Sequence, residues 1–304
     1  MQPTNLPPCP ASLCGLLIVN KPQEMTSRDA VNIVQRATRP VKAGHAGTLD
    51  PLATGVLVVC VGGATRLIEY VQRMPKRYVG TFLLGRTSVT EDIEGEVVPL
   101  ADPPRPTLEE IVASIPRFLG RIEQRPPAFS ALKIHGRPAY KLARQGKPVE
   151  LAARPVEIFG IAVRSYNYPE LVLEIDCGSG TYVRSLGRDL AESLGTAAVM
   201  SALVRTRIGE FSIEDAVGPR DLTGENVRSK LLPPLRAVSC LPQVQLSAEE
   251  SRRIRNGLTI APKPTVPVGC TEIAAVDPLG QLIGVLAPLN DGQWRAFRNL
   301  PTGG

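Results

Sequence analysis

The sequence predicts a protein of mixed helices and strands, built as one large domain with a smaller companion. Three observations point there. At 304 residues the chain is long enough for two domains of roughly 150 residues each, or for one large and one small. Short apolar runs bounded by turn residues alternate with helix-spaced segments along most of it. Beyond Pro242 the texture changes to a charged helix followed by short strands, a small β-rich module. An apolar fraction of 43% and a charged fraction of 21% are ordinary for a globular chain and exclude overall disorder. No apolar run approaches the roughly eighteen residues of a membrane span, so no membrane partner is expected.

Residues 1–13, with four prolines in the first ten, read as a flexible tail without the basic and apolar regions of a secretory signal. Residues 15–20 form a short strand. Thr26 and Asp29 make a capping box ahead of Val31, Ile33 and Val34, and Pro40 stops that helix near Arg39. Residues 44–55 are dense in turn formers. Residues 56–61 are a second strand, 66–72 a short helix, and 78–84 a third strand ended by Gly85. Three prolines make 101–106 a linker, and helical spacing returns over 108–119. Residues 124–154 are polar, basic and broken by Pro and Gly, with helical spacing near 139–144. Residues 158–166 and 171–177 pair as strands, the second placing Leu171, Leu173, Ile175 and Cys177 on one face. Tyr182, Leu186, Leu190 and Leu194 repeat every fourth residue, which makes 181–194 a helix closed by Gly195. Residues 204–211 are another strand. In the C-terminal module Ser247 caps a helix over 246–256, with Glu249 and Glu250 in its first turn. Strands at 272–276, 282–286 and 293–297 follow, with a turn at Asn290-Asp291-Gly292.

Charge is unevenly spread. The whole chain is +6, yet residues 117–148 hold eight basic side chains (Arg117, Arg121, Arg125, Lys133, Arg137, Lys141, Arg144, Lys147) against one acid, Glu123. Such clustering suits a polyanion, although a solvated face has the same composition. With 13 aromatic residues, extended base stacking along a single strand is not expected. The six cysteines, at 9, 14, 60, 177, 240 and 270, include no Cys-x-x-Cys pair, and His45 and His135 are the only histidines. That points to reduced thiols in a cytoplasmic setting and leaves few ligands for zinc. A phosphate-binding Walker loop, a dinucleotide fingerprint and a Gly-x-Ser-x-Gly elbow are all absent from the sequence.

The informative window is Gly44-His-Ala-Gly-Thr-Leu-Asp50-Pro-Leu-Ala-Thr-Gly55, a histidine and a carboxylate in a loop between elements. As a bare pattern, Asp50 before Pro51 reads first as a turn, and His45 alone reads as structural. Arg184 stands near the start of a helix, where the dipole disfavours a cation. It calls for a carboxylate partner or an anionic ligand, unless it is solvated; periodicity sets it off the Tyr182–Leu194 stripe.

Four separated motifs in order resemble a known family. They are Gly15-Leu-Leu-Ile-Val-Asn-Lys21-Pro22, the Gly44 to Gly55 window, Lys76-Arg77-Tyr78, and Gly180-Thr-Tyr-Val-Arg184-Ser-Leu. Together they are similar to the bacterial tRNA pseudouridine-55 synthases of the TruB family. The stretch Pro126-Pro-Ala-Phe-Ser-Ala-Leu-Lys133 through Tyr140 resembles that family's RNA-gripping insertion, and Arg205-Thr-Arg-Ile-Gly-Glu-Phe211 a late strand of its catalytic domain. The resemblance spans about residues 14–215. It implies an α+β fold: a mixed, largely antiparallel sheet with flanking helices over 14–241, then a small β-rich PUA-like RNA-binding module over 242–304. It also implies isomerisation of a tRNA T-loop uridine without cofactor or metal, by a monomer. Asp50 falls on the nucleophile, Tyr78 on the active-site tyrosine and Arg184 on the arginine that pairs with the aspartate. His45 falls on the residue that holds the rearranged T-loop, and Lys21, Arg66, Tyr182 and Leu203 on positions lining the pocket. Lys133 belongs to the RNA grip.

The residue types suit that chemistry. A carboxylate must be ionised to attack, and an adjacent guanidinium keeps it so. A phenol over a uracil ring stacks and moves a proton. Two departures stand out. Thr87-Ser-Val-Thr-Glu-Asp92 keeps only the last acid of the family's Thr-Asp-Thr-x-Asp pattern, and Leu203-Val204-Arg205 replaces Leu-Arg-Arg. A tRNA-binding protein or RNA chaperone without catalysis is the alternative, disfavoured because a pure binder has no use for Asp50, Tyr78 and Arg184 together. Aspartate-dependent hydrolysis is disfavoured for want of a metal-ligand cluster.

Overall fold

The computed structural model describes residues 13–130, 132–134, 136–143, 145 and 151–300. Nearly all of the expected tail, and His135, Arg144 and Lys147 of the basic segment, lie outside the described residues.

The first half of the chain runs β1 (Gly15–Lys21), α1 (Ser27–Ala37), β2 (Ala43–His45), β3 (Thr54–Val61), α2 (Ile68–Arg73), β4 (Lys76–Leu84), β5 (Arg86–Thr87), β6 (Val98–Pro99), α3 (Leu108–Ser114) and β7 (Gly120–Gln124). It continues through β8 (Lys133–Ile134), β9 (Arg137–Pro138), α4 (Ala139–Ala143), β10 (Arg154–Asn167), β11 (Glu170–Cys177), α5 (Val183–Ser193), β12 (Ala198–Ile208), β13 (Phe211–Ser212) and α6 (Val227–Lys230). The last elements are β14 (Gln243–Gln245), α7 (Ala248–Arg255), β15 (Ile273–Val276), β16 (Leu282–Pro288) and β17 (Trp294–Asn299).

The large sheet has the order β1-β3-β12-β4-β11-β10-β7, with β2 added to β3 and β13 to β12. Every pairing is antiparallel except β3 with β12, so the sheet is mixed and largely antiparallel. Its position explains the composition of β3. Seven of its eight residues are buried, because β1 and β12 flank it and side chains cover both faces. β4, at the centre, alternates buried and half-buried along its length. One face packs under α5, where Leu186, Leu190 and Ala191 meet Phe82 and Leu84. A Cβ on Gly187 would stand 2.0 Å from Phe82 Cε1, so only glycine lets the helix sit this close. The capping boxes form at Thr26–Asp29 and at Ser247–Glu250.

Four elements differ from expectation for local reasons. The strand expected at 204–211 is β12, which starts at Ala198; a bulge between Met200 and Ala202 breaks its alternation. Gly209, at φ 52°, then turns the chain into β13. The helix expected over 108–119 stops at Ser114 and tightens into a 3-10 turn at Ile115–Phe118 containing Pro116. The short helix expected at 66–72 is a 3-10 turn at Gly62–Leu67 leading into α2. β7 was hidden in the basic segment: it is an edge strand whose exposed Arg121 and Glu123 flank half-buried Ile122.

The second sheet has the order β14-β15-β16-β17, with its own core of Val244, Leu246, Ile254, Ile273 and Trp294. Its other face reaches the large sheet, where Ala274, Val285 and Leu300 join Leu16, Val58 and Cys60. Among the described residues no helix is long and apolar enough to cross a membrane.

Candidate active site

Asp50 sits in the loop between β2 and β3, and the loop is fastened from below. Leu49 N–H donates to Ser27 Oγ at 2.8 Å, and that hydroxyl donates to the Leu49 carbonyl at 3.1 Å. Lys21, fully buried, donates to the carbonyls of Pro22 (2.9 Å), Met25 (2.7 Å) and Pro51 (3.3 Å). Ala53 N–H closes a turn onto the Asp50 carbonyl at 3.1 Å. The Asp-Pro turn and a functional carboxylate are therefore compatible readings of one segment. Burial pushes the Lys21 ammonium down to about 8, against the opposing pull of Asp50 and Glu94. Between that value and the ordinary 10.5 the unfolded chain binds more protons, so this group makes stability rise with pH. The stability of the wild type relative to Lys21→Met is expected to rise from pH 8 to pH 10 in urea denaturation. A pH-independent difference would show that Lys21 keeps its ordinary titration.

Arg184 stands in the first turn of α5 and is only 6% exposed. The structure removes the solvated reading. Its Nη2 lies 3.0 Å from Asp50 Oδ2 and donates to the Phe129 carbonyl at 3.2 Å. Its Nη1 donates to Asp92 Oδ2 at 2.9 Å and to the Thr90 carbonyl at 2.8 Å. Asp92 is 1% exposed and also accepts from Thr90 Oγ1 (2.6 Å) and Glu94 N–H (3.1 Å). One guanidinium thus joins two carboxylates, one buried and one facing solvent, since the Asp50 side chain is 38% exposed. Two local acids and two carbonyls outweigh the unfavourable helix dipole.

Asp50 opens onto a cavity of about 330 Å³, lined also by Tyr78, Tyr182, Arg184, Leu203 and Arg205. Such a volume is on the scale of small-ligand sites, roughly 300–1,000 Å³. Tyr78 is 9% exposed on β4, and burial pushes its phenol up while the nearby Arg205 guanidinium opposes the shift. Arg205, 1% exposed on β12, has its guanidinium carbon 6.0 Å from the Tyr78 ring centre. It donates to the carbonyls of Val56 (2.7 Å) and Gly47 (3.1 Å), which fixes the start of the Asp50 loop to the sheet. Tyr182 is held at its backbone by Gln124, which accepts from its N–H at 2.8 Å and donates to its carbonyl at 3.0 Å.

The loop returns to the sheet at Gly55, which has φ +97° and faces Arg205 in the parallel pair of β3 and β12. A Cβ there would lie 2.3 Å from the Arg205 carbonyl oxygen. Gly55→Ala should cost about 2–4 kcal/mol, from overpacking added to a left-handed backbone. Equilibrium unfolding in urea checks this, and a loss below about 1 kcal/mol would mean the strand pair yields easily.

Asp50, Tyr78, Tyr182, Arg184 and Leu203 converge on one cavity. Three other expected site residues do not line it. Lys21 lies beneath the Asp50 loop, as its three carbonyl partners require. His45 sits on β2 opposite Val59, with a buried Nδ1 that has no hydrogen-bond partner among the described residues. Burial lowers its imidazole pKa. Arg66 donates to the Asn299 carbonyl at the end of β17, which ties the 3-10 turn at Gly62–Leu67 to the second sheet. The Lys133 side chain lies outside the described ones; its backbone pairs with Pro138. The structure adds Asp92 and Arg205. Asp92 had a signal, as the one acid kept from the family pattern, but no assigned partner. Among the described residues no cluster of three or more His, Cys, Asp or Glu could hold a metal ion.

Residues 35–183 match the family described as TruB family pseudouridylate synthase (N terminal domain). The tRNA pseudouridine synthase B of Clostridium tetani is 39% identical over 249 residues, 82% of this chain and 86% of that one. The protein of the same name from Synechocystis is 39% identical over 288 residues, covering 91% and 96%. That of Ruegeria pomeroyi is 43% identical over 250 residues, covering 81% and 82%. Among solved structures, a Cbf5-Nop10-Gar1 complex matches with a TM-score of 0.70 and 24% identity, over 90% of this chain and 78% of that one. The archaeal box H/ACA sRNP Nop10-Cbf5 complex matches with a TM-score of 0.71 and 21% identity, over 95% and 86%. At those identities the structural matches establish a shared fold.

Proposed function

Because the chain belongs to the TruB family of pseudouridylate synthases, we propose that it converts uridine 55 in the T-loop of tRNA to pseudouridine, with Asp50 as the nucleophile. One observation supports this above the others: the accessible Asp50 carboxylate stands 3.0 Å from the buried Arg184 guanidinium on the wall of the cavity. The chain is a tRNA-modifying isomerase. The uridine leaves its stack and enters the cavity. Its N1–C1′ bond breaks with the help of Asp50, at the sugar or the ring. The uracil turns, C5 bonds to C1′, the C5 hydrogen leaves as a proton, and N1 gains one. No electrons leave the base, so the chemistry needs no redox partner. Arg184 aims the carboxylate through their 3.0 Å contact. Tyr78 supports the uracil face, its raised phenol remaining protonated at neutral pH and able to donate.

Further roles are proposed around this centre. Tyr182 and Leu203 touch the base from the cavity wall, and His45 supports the opened T-loop. The basic segment from Arg117 onward grips phosphates, with Lys133 in its middle. The second sheet extends RNA contact as a PUA-like module.

The test uses unmodified tRNA with tritium at uridine C5, without added metal or nucleotide. Stoichiometric tritium release, with pseudouridine mapped to position 55, is the expected result. Release with pseudouridine elsewhere would refute the position. Tight tRNA binding without release would favour the chaperone reading.

A further inference from the structure

The loop before Ile93 presents two adjacent acids, and α5 presents two arginines one turn apart. Asp92 goes to Arg184. Glu91 goes to Arg188, which reaches it with Nη1, while the other Glu91 oxygen accepts from Ser185 Oγ at 2.7 Å. Both side chains are largely buried, at 13% and 15% exposure. Glu91 has φ 62°, a left-handed conformation costly for a side chain that gains nothing by it. Its backbone is locked as well: Met200 N–H donates to its carbonyl at 3.0 Å, and Ile93 N–H to the Met200 carbonyl at 3.1 Å.

Each arginine also holds one carbonyl of the segment that leads into the basic region. Arg188 Nη2 donates to Arg125 at 3.0 Å, and Arg184 Nη2 to Phe129 at 3.2 Å. Pro126 and Pro127 lie between those two carbonyls and stiffen the span. The same Arg184 Nη2 that donates to the Phe129 carbonyl lies 3.0 Å from Asp50. A shift of the 125–129 span therefore bears directly on the nitrogen that orients the nucleophile. Neither Glu91 nor Arg188 lines the cavity.

We propose that Glu91 and Arg188 are a positioning pair for the reaction, holding the 90–92 loop and the 125–129 span so that Arg184 presents its fork to Asp50. This rests on the reading of Asp50 as nucleophile. The pair touches no reacting atom; it sets how often Arg184 is in register with Asp50 when RNA is bound. An error of about 1 Å in such an alignment is worth up to 10²-fold in rate.

Removing one partner alone leaves a buried charge and threatens the fold, so the decisive variant is Glu91→Leu with Arg188→Met. Replacing both members of a buried pair by apolar residues is commonly neutral for stability. Arg188 also donates to Asp189 Oδ1 from Nε (2.9 Å) and Nη2 (2.7 Å), and that carboxylate, 25% exposed, takes up water when Arg188 is removed. Single-turnover tritium release, the Kd for tRNA and Tm are measured on this double variant beside wild type and Asp50→Asn. The expected result is a rate lowered about tenfold or more, with Kd and Tm close to wild type. An unchanged rate would overturn the proposal, as would a rate that falls only in step with Tm. Weakened tRNA binding at full single-turnover rate would overturn it too, by making the pair part of the RNA grip. Turnover by Asp50→Asn would instead fail the underlying reading, whatever the double variant does.

Discussion

Asp50→Asn is expected to end tritium release from C5-labelled tRNA, by at least about three orders of magnitude, some 4 kcal/mol of transition-state stabilisation. The Kd for tRNA should stay within a few-fold. The substitution changes almost nothing else. The amide keeps the shape of the carboxylate and an oxygen for Arg184 Nη2, now 3.0 Å away. Arg184 keeps its other partners, Asp92 and the carbonyls of Thr90 and Phe129, so it has no reason to move. The loop holds through Ser27, Lys21 and the Ala53 turn, none of which uses the Asp50 side chain. What is lost is the negative charge and the oxygen that the proposed mechanism uses as the glycosidic bond breaks. A fall in kcat with Kd preserved is the signature of an interaction made only on the way to the transition state. Retained turnover would remove Asp50 from the mechanism.

Much of the fold was legible because its strands are apolar runs with ordinary boundaries. β1, β3, β4 and β11 fall within two residues of where alternation and turn residues put them. β7 was not legible. Its outward Arg121 and Glu123 joined a charge run, and only pairing with β10 makes the segment a strand. β12 was misplaced because its bulge shifts the buried face midway, so no single period spans it. The site shows the same division. Arg184 announced itself by standing at the wrong end of a helix dipole. Asp50 looked like a turn, which it is; its partner is on another element, and only the fold brings them together. Lys21 resembled a pocket residue, but three carbonyls converge beneath the loop and claim its ammonium. Local sequence does not encode such convergence.

Arg184→Met should cost both turnover and stability, and the two losses are separable. Deleting the guanidinium leaves Asp92, 1% exposed, with a hydroxyl and one N–H but no counter-charge. An ionised carboxylate stranded this way costs about 3–5 kcal/mol. The Thr90 and Phe129 carbonyls lose their donor at the same time. Adding Asp92→Asn removes the stranded charge while keeping acceptor and shape, so Arg184→Met with Asp92→Asn should recover much of the lost Tm. It should not recover tritium release, because Asp50 still lacks the cation that holds it. Arg184→Lys tests the geometry alone. It keeps one positive charge, but a single ammonium cannot fork between Asp50 and Asp92 while serving two carbonyls. Its stability should therefore lie above that of Arg184→Met, with release still reduced by about 10²-fold. If the double variant regained both Tm and release, Arg184 would be no more than a counter-ion for Asp92. If Tm returns and release does not, the same guanidinium that neutralises the buried acid also arms the exposed one.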